Sequence, residues 1–307
     1  MSQVRPFHRD DRDQLTELVN AHVAAVVPGV SVSVNTVLSS LERQPDEFVT
    51  DPWVAERVTL VAELRRHIVA AAHLLRYRAD AEVGADYRDA GEITWFLWHP
   101  PASFRPDTDK AADLLMAACL AQLARWQVRV RLASGDLPAP VVYGLPRNWP
   151  HVRSVYERAG FRHTGRTEVI LLAQVSELPR PEPRPESRPG VTVERTLGQC
   201  GTRLTAYEGG QSVGFVEVGT VLARPERHTR PAGLADIGNL HIDPARRGAG
   251  WEHRLLAHAA DWLGLSGVDR LLAYELADDQ GALDTLRTAG FRELTRTDRG
   301  WEHRPGT

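Results

Sequence analysis

The chain has 307 residues, of which 42% are hydrophobic and 25% charged, and a formal net charge of −3. This balance is typical of a soluble globular protein of about two domains, and it excludes a dedicated nucleic-acid binder, which would carry a basic face. The polar N-terminus and the lack of an apolar run of about 18 residues argue against a signal peptide and a membrane span. The two cysteines, Cys119 and Cys200, have no metal-ligand spacing, so we expect no metal site and a reducing, cytoplasmic setting.

Apolar periodicity predicts alternating strands and helices in the first half of the chain. The predicted strands lie at Val4–Phe7, Val58–Glu63, Ile68–Arg76, Glu92–Pro100, Val128–Leu132 and Glu168–Ala173. The predicted helices run from about Asp10 to Val26, from Val34 to Arg43 and from Thr108 to Trp126, and another ends at the glycine C-cap Gly160.

A proline-rich segment separates the two halves. Residues Glu177–Gly190 contain five prolines that alternate with charged residues, a pattern that cannot build a core and favours an extended linker. We therefore expect a first domain over residues 1–175, a linker over 176–190 and a second domain over 191–307.

The second half repeats the pattern of the first more briefly. Its predicted strands and helix are Val191–Arg195, the hairpin Leu204–Tyr207 and Val213–Val218, strand Asp236–Ile242, strand Arg270–Tyr274 and helix Gln280–Ala289. The eight residues between Arg195 and Leu204 are too few for the two helices that the first half carries.

A basic glycine turn joins a strand to a helix in this half. Pro244 ends the strand, Arg246 and Arg247 follow, and Gly248 and Gly250 precede an apolar helical face that begins at Trp251. Glycines let the backbone curl with its N–H groups inward, and a helix N-terminus adds partial positive charge. The turn therefore predicts a pyrophosphate site, with an ordinary basic β–α turn as the alternative.

This turn resembles motif A of the GNAT acyltransferases, in which an Arg/Gln-x-x-Gly-x-Gly/Ala turn holds the pyrophosphate of acetyl-CoA. Arg247 and Gly250 match the first two fixed positions, whereas Glu252 replaces the third. The resemblance implies acetyl-CoA as co-substrate. The residues that it implies at the acetyl-CoA site are Leu240, Ile242, Arg246, Arg247, Gly248, Ala249, Gly250, Trp251, Glu252 and Asp279.

An internal repeat extends the resemblance to nearly the whole chain outside the linker. Glu92 and Asp236 each lie eight residues before a proline, and Ala-Gly-Phe ends the last helix of each half, at Gly160 and at Gly290. Both halves therefore resemble a GNAT domain. The implied fold is α/β, of the α+β kind, with two tandem domains that are each a mixed, mainly antiparallel sheet flanked by helices.

The two halves carry different parts of the chemistry. After Pro100 the first half has no glycine turn, so we expect it not to bind CoA. It has Tyr156 four residues before Gly160, where the family often places the tyrosine that protonates the departing thiolate. The second half has Leu286 at that position.

The candidate catalytic residues are Asp236 and Tyr156, which the resemblance implies, and His241, which its residue type suggests. Asp236 is the first candidate for the general base, and a solvated strand-end acid is the alternative. His241 is a second candidate, because its ordinary pKa is near neutral. The two differ by an odd number of positions and would lie on opposite faces of a regular strand, unless a bulge resets the alternation. For Tyr156, packing beneath the helix is the structural alternative.

Together these features predict an acetyl-CoA-dependent N-acyltransferase that acts on the amine of a small molecule or possibly of a peptide. The alternatives are a non-catalytic acyl-CoA sensor and a GNAT-fold scaffold. We expect a monomer or a weak homodimer with no nucleic-acid partner, because a tandem chain already contains two domains of the kind that a dimer would bring together.

Overall fold

A computed structural model of the chain describes residues 2–42, 51–100, 107–139, 141–181, 190–219 and 233–304. The chain divides into two compact units: unit 1 comprises Met1–Thr167 and Thr297–Thr307, and unit 2 comprises Glu168–Arg296. Most of the predicted linker, and the residues directly after Pro100, lie outside the described residues. In the described part of the chain, no helix is both long and apolar enough to cross a membrane.

The secondary structure follows the predicted order and adds four strands. The strands are β1 (Ser2–Pro6), β2 (Val54–Leu64), β3 (His67–Tyr77), β4 (Ala90–Trp98), β5 (Val130–Ala133), β6 (Leu145–Pro146), β7 (Phe161–His163), β8 (Thr167–Gln174), β9 (Val191–Leu197), β10 (Thr202–Glu208), β11 (Gln211–Gly219), β12 (Leu234–Ile242), β13 (Arg270–Leu276), β14 (Arg292–Asp298) and β15 (Trp301–His303). The helices are α1 (Arg12–Val26), α2 (Val34–Glu42), α3 (Thr108–Arg125), α4 (Pro150–Arg158), α5 (Trp251–Leu265) and α6 (Gln280–Thr288). The strands absent from the prediction are β6, β7, β14 and β15.

Unit 1 contains a sheet in the order β1-β2-β3-β4-β5-β15-β7, in which only β4 and β5 are parallel. Helix α3 packs on one face of this sheet: a Cβ on Gly91 of β4 would lie 2.6 Å from the side chain of Leu123. The terminal strand β15 supplies Trp301, which is 2% exposed and packs edge-on against Tyr156 of α4. The last strand of the chain thus completes the core of unit 1.

Unit 2 contains strands in the order β14-β8-β13-β12-β11-β10-β9, with β12 and β13 parallel. Apolar side chains on one face of this sheet form a single core with α5 and α6, in which Leu255, Leu263 and Leu283 are fully buried. The expected mixed, mainly antiparallel sheets with flanking helices are confirmed.

Strand β8 lies elsewhere than the sequence pattern predicts. The pattern assigns residues Glu168–Ala173 to the end of the first domain, whereas β8 pairs with β13 in the sheet of unit 2, from Gln174 opposite Arg270 to Glu168 opposite Leu276. An apolar strand satisfies the same periodicity beside any neighbour, so its partner depends on tertiary structure. The compact units therefore divide the chain at other residues than the proline-rich segment.

A β-bulge recurs in both units and gives the internal repeat a structural basis. In unit 1, His73 pairs with Trp95 and Leu74 with Ile93, which leaves Thr94 as the extra residue of β4. In unit 2, Glu217 pairs with Asn239 and Val218 with Ile237, which leaves Gly238 as the extra residue of β12. Each bulge lies two residues after the acidic repeat partner, Glu92 or Asp236.

Candidate functional site

The bulge at Gly238 brings the two candidate bases of unit 2 to the same face of the sheet. Directly opposed residues of an antiparallel pair point to the same side. Asp236 lies opposite Gly219 and His241 opposite Phe215, which are four residues apart on one strand and so share a face. The extra residue resets the alternation that would otherwise separate positions 236 and 241.

The parallel strands β12 and β13 separate directly after Asp236. Their pairing comprises Leu234 with Arg270, Ala235 with Leu271 and Asp236 with Leu272. In the described residues, neither strand pairs with the other beyond this point, although β12 continues to Ile242 and β13 to Leu276. The result is a wedge between two strand edges, which we call the unit 2 notch, with the bulge at its apex and the backbone of Leu240 and Ile242 along one side.

The glycine turn at the far end of β12 leaves space around its backbone. Gly248 and Gly250 have φ values of +76° and +80°, in the left-handed region that glycine adopts without strain. A Cβ on either glycine would meet no atom of the described residues within 4 Å. The amide of Ala249 lies 3.4 Å from the Arg246 carbonyl, and Asp243 Oδ1 accepts from the Ala245 amide at 2.9 Å. These two contacts hold the turn, so an anion could approach it without displacing side chains.

Helix α5 presents its N-terminus at this turn. Its N-cap is Gly250, which has no side chain to accept from the first-turn amides, and no side-chain cap is present. Trp251 is 3% exposed and anchors the first turn in the core, so at this position only the backbone faces the turn. The half-buried carboxylate of Glu252 also lies in this first turn. Its negative charge interacts favourably with the partial positive charge at the N-terminus of α5, and it would repel an anion that binds there.

The two arginines of the turn have different roles. Arg246 donates from Nη1 to Glu208 Oε2 at 2.5 Å, so its charge is already paired within unit 2. Arg247 is exposed, and its side chain forms no ion pair or hydrogen bond with any residue in the described part of the chain. Arg247 therefore provides the available cation of the turn.

His241 and Asp279 of unit 2 have contacts within that unit. His241 is exposed and its ring lies 5.5 Å from that of Phe215, while Asp236 is half-buried. Asp279 Oδ1 accepts from the Ala282 amide at 2.9 Å, so this carboxylate is the N-cap of α6. Leu286 of α6 is 1% exposed and belongs to the core.

Tyr156 lies in the core of unit 1, as its structural alternative predicts. It is 0% exposed and contacts the rings of Phe96, Phe161 and Trp301. Its hydroxyl has no hydrogen-bond partner among the described residues, and burial raises the pKa of the phenol well above its ordinary value. The three candidate catalytic residues are thus divided, with Asp236 and His241 in unit 2 and Tyr156 in unit 1.

Sequence reasoning missed Glu217, which lies opposite the bulge and is 1% exposed. Its carboxylate accepts from Arg203 Nε at 2.6 Å and from the amides of Gln199 and Cys200 at 3.1 and 3.3 Å. Burial opposes ionisation, but these donors hold the pKa of Glu217 below its ordinary value. The available sequence signal was a lone acid within the apolar strand Val213–Val218. No cluster of three metal-ligating side chains occurs among the described residues.

Comparisons with known proteins agree with this geometry. The sequence model of the acetyltransferase (GNAT) family matches residues 171–291, which make up most of unit 2. These residues are therefore similar to that family. The comparison with curated protein sequences found no match.

Solved structures resemble the whole chain. A tandem GNAT protein from the clavulanic acid biosynthesis pathway, determined without AcCoA, has 13% identity and a TM-score of 0.65, with 100% of both chains covered. A GCN5-related N-acetyltransferase from Sphaerobacter thermophilus has 16% identity and a TM-score of 0.63, with 100% of this chain and 97% of that chain covered. A GCN5-related glucosamine N-acetyltransferase region of a fungal multi-domain GH3 β-N-acetylglucosaminidase has 13% identity and a TM-score of 0.62; the match covers 98% of this chain and 38% of the fungal chain. At these identities the likeness concerns the fold, which is that of a tandem, two-domain GNAT protein.

Proposed function

We propose that this chain is an acetyl-CoA-dependent N-acyltransferase that transfers an acetyl group to the amine of a small molecule or a peptide. The observation that carries the proposal is the sequence of features along β12 of unit 2. The strand bulges at Gly238, separates from β13 directly beside that bulge, and ends in an open glycine turn before an uncapped helix.

These features offer complementary contacts for the parts of acetyl-CoA. The open turn at Gly248 and Gly250, the first amides of α5 and the charge of Arg247, which pairs with no described residue, suit the pyrophosphate. The pantetheine arm has amide and carbonyl groups of its own, which suit a strand edge such as that of Leu240–Ile242. In this arrangement the thioester would lie towards the bulge, near the face that carries Asp236 and His241.

The transfer needs a neutral amine, a base and a stabilised oxyanion. The amine nitrogen attacks the thioester carbonyl, its proton passes to Asp236 or His241, and the C–S bond breaks to give the amide and CoA thiolate. Backbone N–H groups at Leu240–Ile242 would polarise the carbonyl. Since a thiol has a pKa of about 8.5, water can protonate the leaving thiolate, and unit 2 needs no phenol at Leu286.

The second candidate function is acyl-CoA binding without turnover. It is favoured by Leu286, which is buried in the core of unit 2 where unit 1 has Tyr156, and by the carboxylate of Glu252 in the first turn of α5. A scaffold that binds no CoA is the third candidate, and the observation against it is the open turn beside Arg247, an exposed arginine that pairs with no described residue.

Calorimetric titration with acetyl-CoA, followed by an assay of CoA release with a panel of primary amines, separates the three candidates. We expect one equivalent to bind and at least one amine to accelerate CoA release. Binding without release for any amine would leave the acyl-CoA binder, and no binding would leave the scaffold. Two equivalents would contradict the assignment of acetyl-CoA to unit 2 alone.

A further inference from the structure

The short turn Gly198–Gly201 of unit 2 packs against the apex of the notch. It joins β9 to β10, where unit 1 has the helices α1 and α2 between its first two strands. The Gly198 amide donates to the Gly201 carbonyl at 2.7 Å, which closes the turn tightly. Gly201 has a φ of +134°, and a Cβ there would lie 2.4 Å from the Val218 carbonyl oxygen, so only glycine fits.

Cys200 of this turn fills the space beside the bulge. A Cβ on Gly238 would lie 2.4 Å from Cys200 Cβ and 3.1 Å from its Sγ. The cysteine side chain therefore occupies the position that a side chain at the bulge would take. It lies next to the point where β12 leaves β13, since the last paired residue, Asp236, is only two positions earlier.

The buried side chain of Glu217 holds this turn by hydrogen bonds. Its carboxylate accepts from two consecutive amides of the turn, those of Gln199 and Cys200, and from the guanidinium of Arg203. A Cβ on Gly198 would lie 2.4 Å from Glu217 Oε1, so the backbone of the turn rests directly on the carboxylate. A buried carboxylate that accepts several hydrogen bonds, including one from a cation, holds its partners strongly.

The same carboxylate also connects to a candidate base. The Arg203 guanidinium lies over the ring of Phe215, 4.1 Å from its centroid, and that ring lies 5.5 Å from the ring of His241. Glu217 therefore lies between the bulge, through Cys200, and His241, through Arg203 and Phe215.

We propose that the turn Gly198–Gly201 is the wall of the acyl end of the unit 2 notch, and that Glu217 is the positioning residue that holds it. This inference rests on the proposed function. The phosphate end at Gly248–Gly250 has its own anchors, so loss of Glu217 would disturb the reacting end and leave the pyrophosphate contacts in place.

The first test uses Cys200 as a reporter in the wild-type protein. Cys119 is 0% exposed and Cys200 is half-buried, so iodoacetamide should modify Cys200 first, as peptide mass spectrometry would identify. We expect saturating acetyl-CoA to slow Cys200 alkylation at least threefold, because its acyl end would cover the thiol. Equal rates with and without bound acetyl-CoA would overturn the inference.

The second test compares Glu217→Gln and Glu217→Ala with the matched control Glu194→Gln, an exposed carboxylate of β9. We expect the Glu217 variants to lower kcat about tenfold or more, because a displacement of about 1 Å at a reacting centre can have such an effect. Their acetyl-CoA affinity should stay within threefold of wild type, and their Cys200 alkylation should be faster. The Gln variant keeps the side-chain volume and guards against loss of folding in the Ala variant.

The outcomes separate this inference from the proposed function. If the wild-type protein binds no acetyl-CoA, both fall together. If it binds acetyl-CoA and transfers the acetyl group, but Glu217→Gln and Glu217→Ala have the kcat of the Glu194 control, only the role of Glu217 falls.

Discussion

The two units contain the same bulged strand beside a parallel neighbour, yet in the described part of the chain only unit 2 leaves the space between these two strands open. In unit 1 the chain after β5 continues across the bulge: the Ser134 amide donates to the Ile93 carbonyl at 3.1 Å, and the amides of Gly135 and Asp136 donate to the Thr94 carbonyl at 2.8 and 2.9 Å. In unit 2 the described residues show no such closure between β12 and β13. A repeat can thus keep its fold while a few backbone hydrogen bonds occupy the edge that a ligand would need.

The acidic repeat partners differ in the same way. Glu92 of unit 1 is buried and accepts from the Tyr77 hydroxyl at 2.5 Å, and burial raises the pKa of its carboxyl. Asp236 of unit 2 is half-buried, beside an open strand edge. The first carboxyl belongs to a packed core, and the second is partly exposed.

The largest expected effect comes from replacing these two carboxylates. Asp236→Asn should lower kcat about 10²- to 10⁴-fold, the usual contribution of a general base, whereas Glu92→Gln should leave kcat unchanged. Steady-state CoA release across pH 6–9 measures both. Full activity of Asp236→Asn at every pH would show that Asp236 is not the general base. His241→Asn would then test the second candidate.

Acid should destabilise unit 1 before unit 2. Burial lowers the pKa of His22 and of His73 to about 3 and that of His151 to about 4, whereas no histidine is fully buried among the described residues of unit 2. The unfolded chain takes up these protons near pH 6.5, so the stabilisation is complete above that pH and falls as the pH decreases towards 4. Each group contributes a slope of up to about 1.4 kcal/mol per pH unit.

Urea unfolding between pH 7.5 and pH 5 measures this slope. His73→Gln should reduce the slope by the contribution of one titrating group, up to about 1.4 kcal/mol per pH unit. The matched control is His67→Gln, because His67 is an exposed histidine at the start of β3. A stability that does not change below pH 6.5 would contradict the burial of neutral imidazoles in unit 1.

Arg247→Ala tests the open turn of unit 2. We expect acetyl-CoA affinity to fall roughly 10- to 100-fold, because a charge-assisted hydrogen bond contributes about 1.5–3 kcal/mol. Arg292→Ala, at an arginine whose side chain is 83% exposed, should bind acetyl-CoA as the wild type does. Calorimetry measures both variants, and an unchanged affinity in Arg247→Ala would refute the pyrophosphate assignment.

The smallest effect is expected from two glycines, the N-cap of α5 and a residue within that helix. Gly250→Ala should lower stability by about 1 kcal/mol, because alanine is strained at a φ of +80° although space is available for its Cβ. Gly264→Ala, within the same helix, should raise stability by roughly 0.5–1 kcal/mol. Thermal unfolding measures whether each variant is less or more stable than the wild type. Equal changes in melting temperature for the two variants would contradict the left-handed conformation of Gly250.

Several features followed from the sequence because their causes are local. Periodicity predicted most helices and strands to within a few residues, and the order of proline, arginine and glycine predicted the turn that precedes α5. The eight-residue spacing of Glu92 and Asp236 from their prolines identified strands that do share a bulge.

The site itself was only partly predictable. That Asp236 and His241 share a face depends on the extra residue Gly238, and a single glycine in a strand does not specify a bulge. The pairing of Arg246 with Glu208 joins residues 38 positions apart, and the burial of Glu217 depends on donors from another strand.

The sequence by itself determined the two-domain α/β pattern, the glycine turn and the division of candidate groups between the halves, because these depend on residue type and short spacing. Tertiary structure alone decided that β8 joins the sheet of unit 2 and β15 that of unit 1, and that one notch is closed while the other is open. The physical reason is that backbone hydrogen bonds between strands are chemically alike, so long-range packing selects which edges pair.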